Sequence, residues 1–271
     1  MTQRDLAGKV VVITGAAGGL GQALARSFAA AGAHIGALDL DGAAAEALAA
    51  ALRGQGRQAV GLACDVSDAA ECERALAATI ACWGRIDVLV NNAGITHRSA
   101  FRRTDAAVIR RVMEVNFFGA VNCTRAALDA LVQSRGLVIV VSSVAGFAPL
   151  VARTGYAAAK HALHGFFDSL RTELAEDGVG VLVVCPSFID TGIDRNALGG
   201  DGRPARHAQQ IVGERAQAAD VAAAIVRAAR TGKRLLLPGR MAKLAWWVSR
   251  LAPGYYARVM ARRLRAEMDG E

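Results

Sequence analysis

The sequence predicts an α/β fold: a single doubly wound domain whose seven-stranded parallel sheet carries helices on both faces. Two observations predict it. Short apolar runs, several rich in β-branched residues, alternate with longer amphipathic stretches along most of the chain. The first of those runs ends in a glycine-rich turn that opens directly into a helical pattern.

Each element has its own reason. KVVVITG (9–15) is β-branched and too short for a helix, which favours a buried parallel strand. LGQALARSFAAAG follows as a helix ending on Gly32. HIGALDL (34–40) reads as the second strand, and DGAAAEALAAALRGQG as a helix with Asp41 as its N-cap. QAVGLACDV (58–66) is the third strand, and Ser67 or Asp68 opens a helix through Ala81. IDVLVNNAG (86–94) is the fourth, followed by one long helical pattern from Asp105 to Ser134. GLVIVVSS (136–143) is the fifth, and Thr154 to Glu176 the next helix. VGVLVVCPS (179–187) and KRLLLPG (233–239) are the sixth and seventh. Strict strand–helix alternation implies right-handed crossovers, parallel pairing and a Rossmann-type architecture. The catalytic domain is expected over residues 1–238, with a C-terminal extension over 239–271.

Composition narrows the class. Hydrophobic residues make up 53% of 271 positions, enough for a well-buried core. Five cysteines without a CxxC spacing suggest neither a disulfide framework nor a zinc site, and no metal is expected. With no signal-peptide pattern and no apolar run of about 18 residues, the expectation is a cytoplasmic protein, attached to a membrane peripherally at most. Charge is unevenly placed. Residues 1–220 hold 21 basic and 21 acidic side chains, whereas 221–266 hold 11 basic and none acidic, so the net +8 is C-terminal. There Leu244, Trp247, Val248 and Leu251 share one helical face, and Tyr256, Val259, Met260 and Leu264 repeat the pattern beside arginines. Two readings stay open: peripheral membrane contact through 239–265, or packing on the domain, a subunit or the pocket mouth. Nucleic acid is not an expected partner, because no recognition fold accompanies the basic residues.

The chemistry is carried by spaced motifs. TGAAGGLG (14–21) places Gly15, Gly19 and Gly21 where a strand meets a helix, so backbone N–H groups can meet a pyrophosphate. Asp39 closes the second strand, where a carboxylate can bind the adenosine ribose hydroxyls and repel a 2′-phosphate, favouring NAD. GYAAAK (155–160) sets Tyr156 and Lys160 one helical turn apart. A phenol is a poor base near neutrality, and a nearby ammonium favours its anion, so Lys160 is the expected main source of acidification. The three intervening alanines are read as leaving room for a cofactor.

Together these motifs resemble the short-chain dehydrogenase/reductase (SDR) family over about residues 8–238. CDV (64–66), NNAG (91–94), Asn116 in VNFFG, Ser143 thirteen residues before Tyr156, and PSFIDT (186–191) complete the match. The resemblance implies an oxidoreductase in which Asn116, Ser143, Tyr156 and Lys160 are catalytic. Tyr156 would be the general acid/base, Ser143 would hydrogen-bond the substrate oxygen, and Asn116 would position a relay water. Lys160 and Tyr156 would also contact the cofactor. Gly15, Gly19, Leu20 and Gly21 would cradle the pyrophosphate, Asp39 the ribose, and Asp65 and Val66 the adenine. Asn92, with Ala93 and Gly94, would brace the strand beneath the nicotinamide; Pro186, Ile189 and Thr191 would touch its ring half.

The substrate implied is a secondary alcohol or ketone, of apolar (steroid-, retinoid- or acyl-like) character, reached beneath a lid at about 188–215. A homodimer or homotetramer is expected through the helices bearing Asn116 and Tyr156. The rival readings are a non-catalytic dinucleotide sensor, a membrane-tethered scaffold, or epimerase or dehydratase chemistry on the same fold. Where the family usually has Pro-Gly, this chain has Pro186-Ser187, a difference that matters only if that residue needs positive φ. His161 and His164 lack a third ligand nearby, Cys123 and Cys185 read as core residues, and His97 and Arg98 as pocket-rim candidates.

Overall fold

A computed structural model describes residues 4–192, 196–205, 210–211 and 213–269. In chain order the elements are β1 (Val10–Thr14), α1 (Gly19–Ala30), β2 (His34–Asp39), α2 (Gly42–Arg53), β3 (Ala59–Ala63), α3 (Ala69–Trp83) and β4 (Val88–Asn91). Next come α4 (Ala106–Met113), a π-helical segment (Glu114–Phe118), α5 (Gly119–Ser134), β5 (Leu137–Val141), α6 (Thr154–Glu173) and β6 (Gly180–Val184). The chain continues through β7 (Ile189–Asp190), β8 (Ala216–Gln217), α7 (Ala218–Arg230) and β9 (Leu235–Leu236), and finishes with α8 (Gly239–Leu251), α9 (Pro253–Arg263) and α10 (Arg265–Asp269).

Seven strands form one parallel sheet in the order β3-β2-β1-β4-β5-β6-β9. Side-chain alternation splits each strand between two cores. Val11, Ile13, Ile139 and Val184 point to the layer of α1 and α7, and Val12, Leu89, Val140 and Val183 to the layer of α3, α5 and α6. Phe28 of α1 and Phe167 of α6 are fully buried on opposite faces; burying each such ring contributes about 2–3 kcal/mol. The strand order reverses between β1 and β4, and the crevice beyond their carboxyl ends is where such sheets place ligands.

Local chemistry explains where the elements begin and stop. Asp41 caps α2 by accepting the Ala44 N–H at 3.0 Å, and Asp68 caps α3 through Ala70 and Glu71. Strand β4 ends before Ala93 because the Asn92 and Ala93 N–H groups turn to the Thr14 hydroxyl, each at 3.0 Å, instead of a ladder partner. Strand β9 is two residues long, since Pro238 donates no hydrogen bond and Gly239 takes φ 80°. The single helix expected over 105–134 is interrupted by the π-helical segment. There Asn116 Nδ2 donates to the Val112 carbonyl at 2.9 Å and to the Ile95 carbonyl at 2.8 Å, drawing the side chain into the turn. The expected lid is bracketed by the β7–β8 pair, and its residues 193–195, 206–209 and 212 lie outside the described residues. Among the described residues the positive-φ non-glycine positions are Arg135 and Ala152, and Ser187 is not one of them, so serine fits without strain.

Candidate active site

Two cavities meet at the switch point. One, of about 670 Å³, runs past Gly15, Gly19, Gly21, Asp39, Asp65 and Val66. The other, of about 380 Å³, is mainly apolar and includes Ser143, Tyr156, Lys160, Pro186 and Ile189 in its wall. Leu20, Asn92, Gly94 and Thr191 line both, so they mark the junction.

The first cavity has the form of a dinucleotide cradle. Gly15 has φ 62°, and a Cβ there would lie 2.8 Å from the Ala93 Cα, so only glycine fits the turn. Asn92 Nδ2 donates to the carbonyls of Thr14 at 2.9 Å and Gly15 at 3.1 Å, tying β4 to the glycine turn. Asp39 Oδ2 accepts the Ala17 N–H at 2.8 Å, which fixes the carboxylate across that turn at the end of β2. Asp65 accepts from Ser67 and lies 3.8 Å from Arg111, interactions that hold its carboxyl below the usual range against the opposing effect of burial.

The second cavity gathers Ser143, Tyr156 and Lys160 near one end of α6, while Asn116, the fourth residue of the catalytic expectation, is buried and lines neither cavity. Tyr156 and Lys160 share a face, with Lys160 Nζ 5.6 Å from the Tyr156 ring centroid. Lys160 is buried, donates to the Val141 carbonyl at 2.9 Å, and is pulled down to about 8 by burial. Ser143 hydrogen-bonds the phenol and also accepts the Ala145 N–H at 3.1 Å. Asn116 accepts the Ile95 N–H at 3.1 Å, directly beside Gly94, where a Cβ would collide with Asn116 Oδ1.

Three expectations need correction here. Burial raises the Tyr156 phenol above its ordinary value, against the opposing hydrogen bond from Ser143 and the charge of Arg153. The Lys160 ammonium, 5.6 Å from the ring centroid, donates to a backbone carbonyl rather than to the phenol. The alanines of GYAAAK line neither cavity: Ala159 is buried in the helix packing and Ala158 is exposed. His97 and Arg98 are buried rather than at the rim. His97 Nε2 accepts the Gly155 N–H at 2.9 Å, anchoring the start of α6, and burial followed by the Arg153 charge pulls the ring down to about 4.

The C-terminal extension roofs the second cavity. Val248 of α8 and Tyr256, Val259 and Met260 of α9 line it, and Leu264 is fully buried. Trp246 packs edge-on against Phe147, 4.8 Å between centroids, just after the Ser143 turn, with the Arg250 guanidinium over its other face. The α8 face named from the sequence is divided: Leu244, Trp247 and Leu251 are 56–77% exposed, with Tyr255 beside them at 58%. Sequence reasoning missed Thr14, Arg111, Arg153 and Glu267. Thr14 opens the glycine motif and was legible there; the others are functional neighbours only through long-range folding. His164 hydrogen-bonds Ser142 at 3.1 Å, and among the described residues no cluster of three His, Cys, Asp or Glu side chains is placed to hold a metal ion. No described helix is long and apolar enough to cross a membrane.

The arrangement defines a class: a parallel-sheet protein with a dinucleotide-shaped cleft opening onto an apolar chamber that holds a Ser–Tyr–Lys set. Comparison with known proteins agrees. The short chain dehydrogenase family model matches residues 9–200. Dehydrogenase/reductase SDR family member 7B of Bos taurus is 38% identical over 266 residues, covering 95% of this chain and 82% of that protein. An 11-beta-hydroxysteroid dehydrogenase-like 6 protein of Arabidopsis thaliana is 36% identical over 241 residues, 86% of this chain and 70% of that one. A crystal structure of a short chain dehydrogenase/reductase from Burkholderia phymatum in complex with NAD superposes with a TM-score of 0.77, at 26% identity, over 86% of this chain and 89% of that one. The chain belongs to the short-chain dehydrogenase/reductase family of oxidoreductases.

Proposed function

We propose that the protein is an NAD-dependent dehydrogenase or reductase that moves a hydride between nicotinamide and a secondary alcohol or ketone of an apolar molecule. The observation that carries this reading is the junction itself. A glycine-lined cleft and an apolar chamber share Leu20, Asn92, Gly94 and Thr191, with Tyr156, Ser143 and Lys160 in the chamber wall. The NAD-bound structural neighbour and the hydroxysteroid name of one relative support the cofactor and the apolar substrate.

The nicotinamide supplies or takes the hydride when bound. The chain's own residues do the rest. Gly15, Gly19 and Gly21 let backbone approach the pyrophosphate, Asp39 accepts from the ribose hydroxyls and repels a 2′-phosphate, and Asp65 and Val66 flank the adenine. Ala93 belongs to the same strand end, and Pro186, Ile189 and Thr191 face the ring half. Ser143 holds the substrate oxygen, Tyr156 exchanges its proton, Lys160 steadies the ribose and phenolate, and Asn116 positions a relay water. Residues 1–238 form the catalytic unit, and 239–271 close its chamber while offering α8 to a membrane surface. The protein acts in the cytoplasm or at a membrane face, as a homo-oligomer through the π-helical segment that bears Asn116, the α5 that follows it, and α6, which bears Tyr156; Phe118 of the π-helical segment is 43% exposed. A sensor without chemistry would have no use for the full Asn116–Ser143–Tyr156–Lys160 set.

The test is NAD+ reduction against a panel of secondary alcohols, sterols and acyl carbinols. Tyr156→Phe should lose at least about 100-fold in turnover, as expected for removal of a general acid/base, while NADH binding persists. Turnover that survives in Tyr156→Phe sinks the mechanism, and tighter NADPH than NADH binding sinks the role of Asp39.

A further inference from the structure

His164 lies one turn beyond Lys160 on α6, half-buried, with its ring against the ends of β5 and β6. Its Nε2 atom is 3.1 Å from the Ser142 hydroxyl and 3.5 Å from the Cys185 thiol. Ser142 Oγ in turn donates to the Lys160 carbonyl at 3.2 Å. A serine hydroxyl has one proton and a carbonyl only accepts, so that proton is committed and the imidazole must donate from Nε2. Each group in this chain of bonds adjoins the active site. Ser142 precedes Ser143, Cys185 precedes Pro186, and the accepting carbonyl belongs to Lys160 itself. A missing side chain supplies the space: a Cβ on Gly146 would collide with Ser142 Oγ and lie 2.8 Å from His164 Nε2 and 2.9 Å from the Lys160 carbonyl oxygen.

We infer that His164 is a positioning residue of the active site: by donating to Ser142 it orients the hydroxyl that laces the α6 turn bearing Lys160 to the strand end bearing Ser143. This rests on the oxidoreductase reading and deepens it. His164 lines neither cavity, so it acts through Ser142 and not on substrate or cofactor. Ser143 comes from the end of β5, whereas Tyr156 and Lys160 come from α6, and their mutual geometry depends on how those two elements are joined. The Lys160 ammonium supplies a second tie, to the Val141 carbonyl at 2.9 Å. Without the imidazole donor, the buried Ser142 oxygen loses a partner and its hydroxyl is released to rotate away from the Lys160 carbonyl. Any shift of α6 against β5 enters the Ser143–Tyr156 geometry directly, and misplacing reacting groups by about 1 Å costs up to about 100-fold in rate.

The experiment separates the donor from the volume of the ring. His164→Gln keeps an N–H donor and gives up the ring, whereas His164→Phe keeps the ring and gives up the donor. On an alcohol that the wild type oxidises, His164→Phe should lose about tenfold in kcat with KM within about threefold, and His164→Gln should recover most of that loss. Ser142→Ala should fall as far as His164→Phe. The double variant Ser142→Ala/His164→Phe should fall no further than the worse single one, because the two side chains act as a unit. Gly146→Ala keeps every polar group but takes their space, and should lose kcat in the same way. Unchanged kcat in His164→Phe, a larger loss in His164→Gln than in His164→Phe, or additive losses in the double variant overturns the inference in favour of simple packing. If His164→Phe does not fold, nitrogen NMR of the labelled wild-type protein reads the ring directly, assigned against the His164→Gln spectrum. The Nε2–H tautomer is expected, and the Nδ1–H tautomer overturns the inference. Absent turnover together with absent NADH binding in wild type would count against the oxidoreductase reading, whereas an active wild type with indifferent variants counts against His164 alone.

Discussion

Buried beside the positive Arg153, His97 stays neutral near neutrality, and that makes it a pH-dependent element of stability. Its folded value is about 4 against an ordinary 6.5, with burial the larger cause. The unfolded chain therefore binds a proton first as pH falls. Stability from this group is intact above about 6.5 and is lost as pH drops from there toward 4, by about 3 kcal/mol in all. His97→Gln keeps an acceptor for the Gly155 N–H and cannot titrate, so denaturant unfolding at pH 7 and pH near 4 should show a flatter dependence than wild type. An equally steep loss in the variant would assign the acid sensitivity elsewhere. From sequence His97 was a rim candidate because it follows NNAG; nothing local says that the loop folds inward to reach α6. Tyr156 and Lys160 were legible as a pair because a helix enforces their shared face. The buried Arg153–Glu267 pair at the start of α6 was not, since its two partners lie 114 residues apart in the chain.

Periodicity alone decides most of the elements. The seven strands of the main sheet and the helices between them were legible; the two-residue strands β7 and β8, which bracket the lid, were not, and the other errors sit at interruptions and ends. The π-helical segment at Glu114–Phe118 was hidden because its cause is Asn116 bonding to Ile95, a residue on a different element. The end of α5 carries a testable feature of the same kind. Arg135 terminates the helix with φ 48°, a left-handed conformation that glycine adopts without the Cβ penalty. Arg135→Gly should stabilise the protein by about 1 kcal/mol and raise Tm by roughly 2–4 °C. A lower Tm in a thermal melt would mean that the packing of the Arg135 stem over Gly178 outweighs the backbone gain.

At the scale of the molecule, the basic C-terminal extension does two things at once: α9 turns Met260 inward with Leu264 just beyond it, and α8 leaves Leu244, Trp247 and Leu251 outside with Tyr255. Leu244 and Tyr255 are both exposed and part of the chamber wall, so the exposed apolar patch borders the chamber's rim. The segment that bears it, from residue 221 to 266, carries cations without intervening acids. Proposed contact with an anionic bilayer follows from that pairing of apolar and basic surface. Co-sedimentation should be strong with phosphatidylserine-containing vesicles, weaker with neutral ones and weaker in high salt. Trp247→Glu should weaken it by about tenfold or more, on the scale of a few charges near a lipid surface; indifference to lipid charge would point to a protein partner for this face. The sequence by itself determined the sheet, the glycine turn with Asp39, and the Tyr156–Lys160 spacing, because each depends on residues close together in the chain and on fixed periodicities. Only the tertiary structure decided that two cavities share a wall, that the extension roofs one of them, and that Glu267 reaches the catalytic helix. Those are contacts across the whole chain, and no local pattern specifies which distant side chain closes a buried charge.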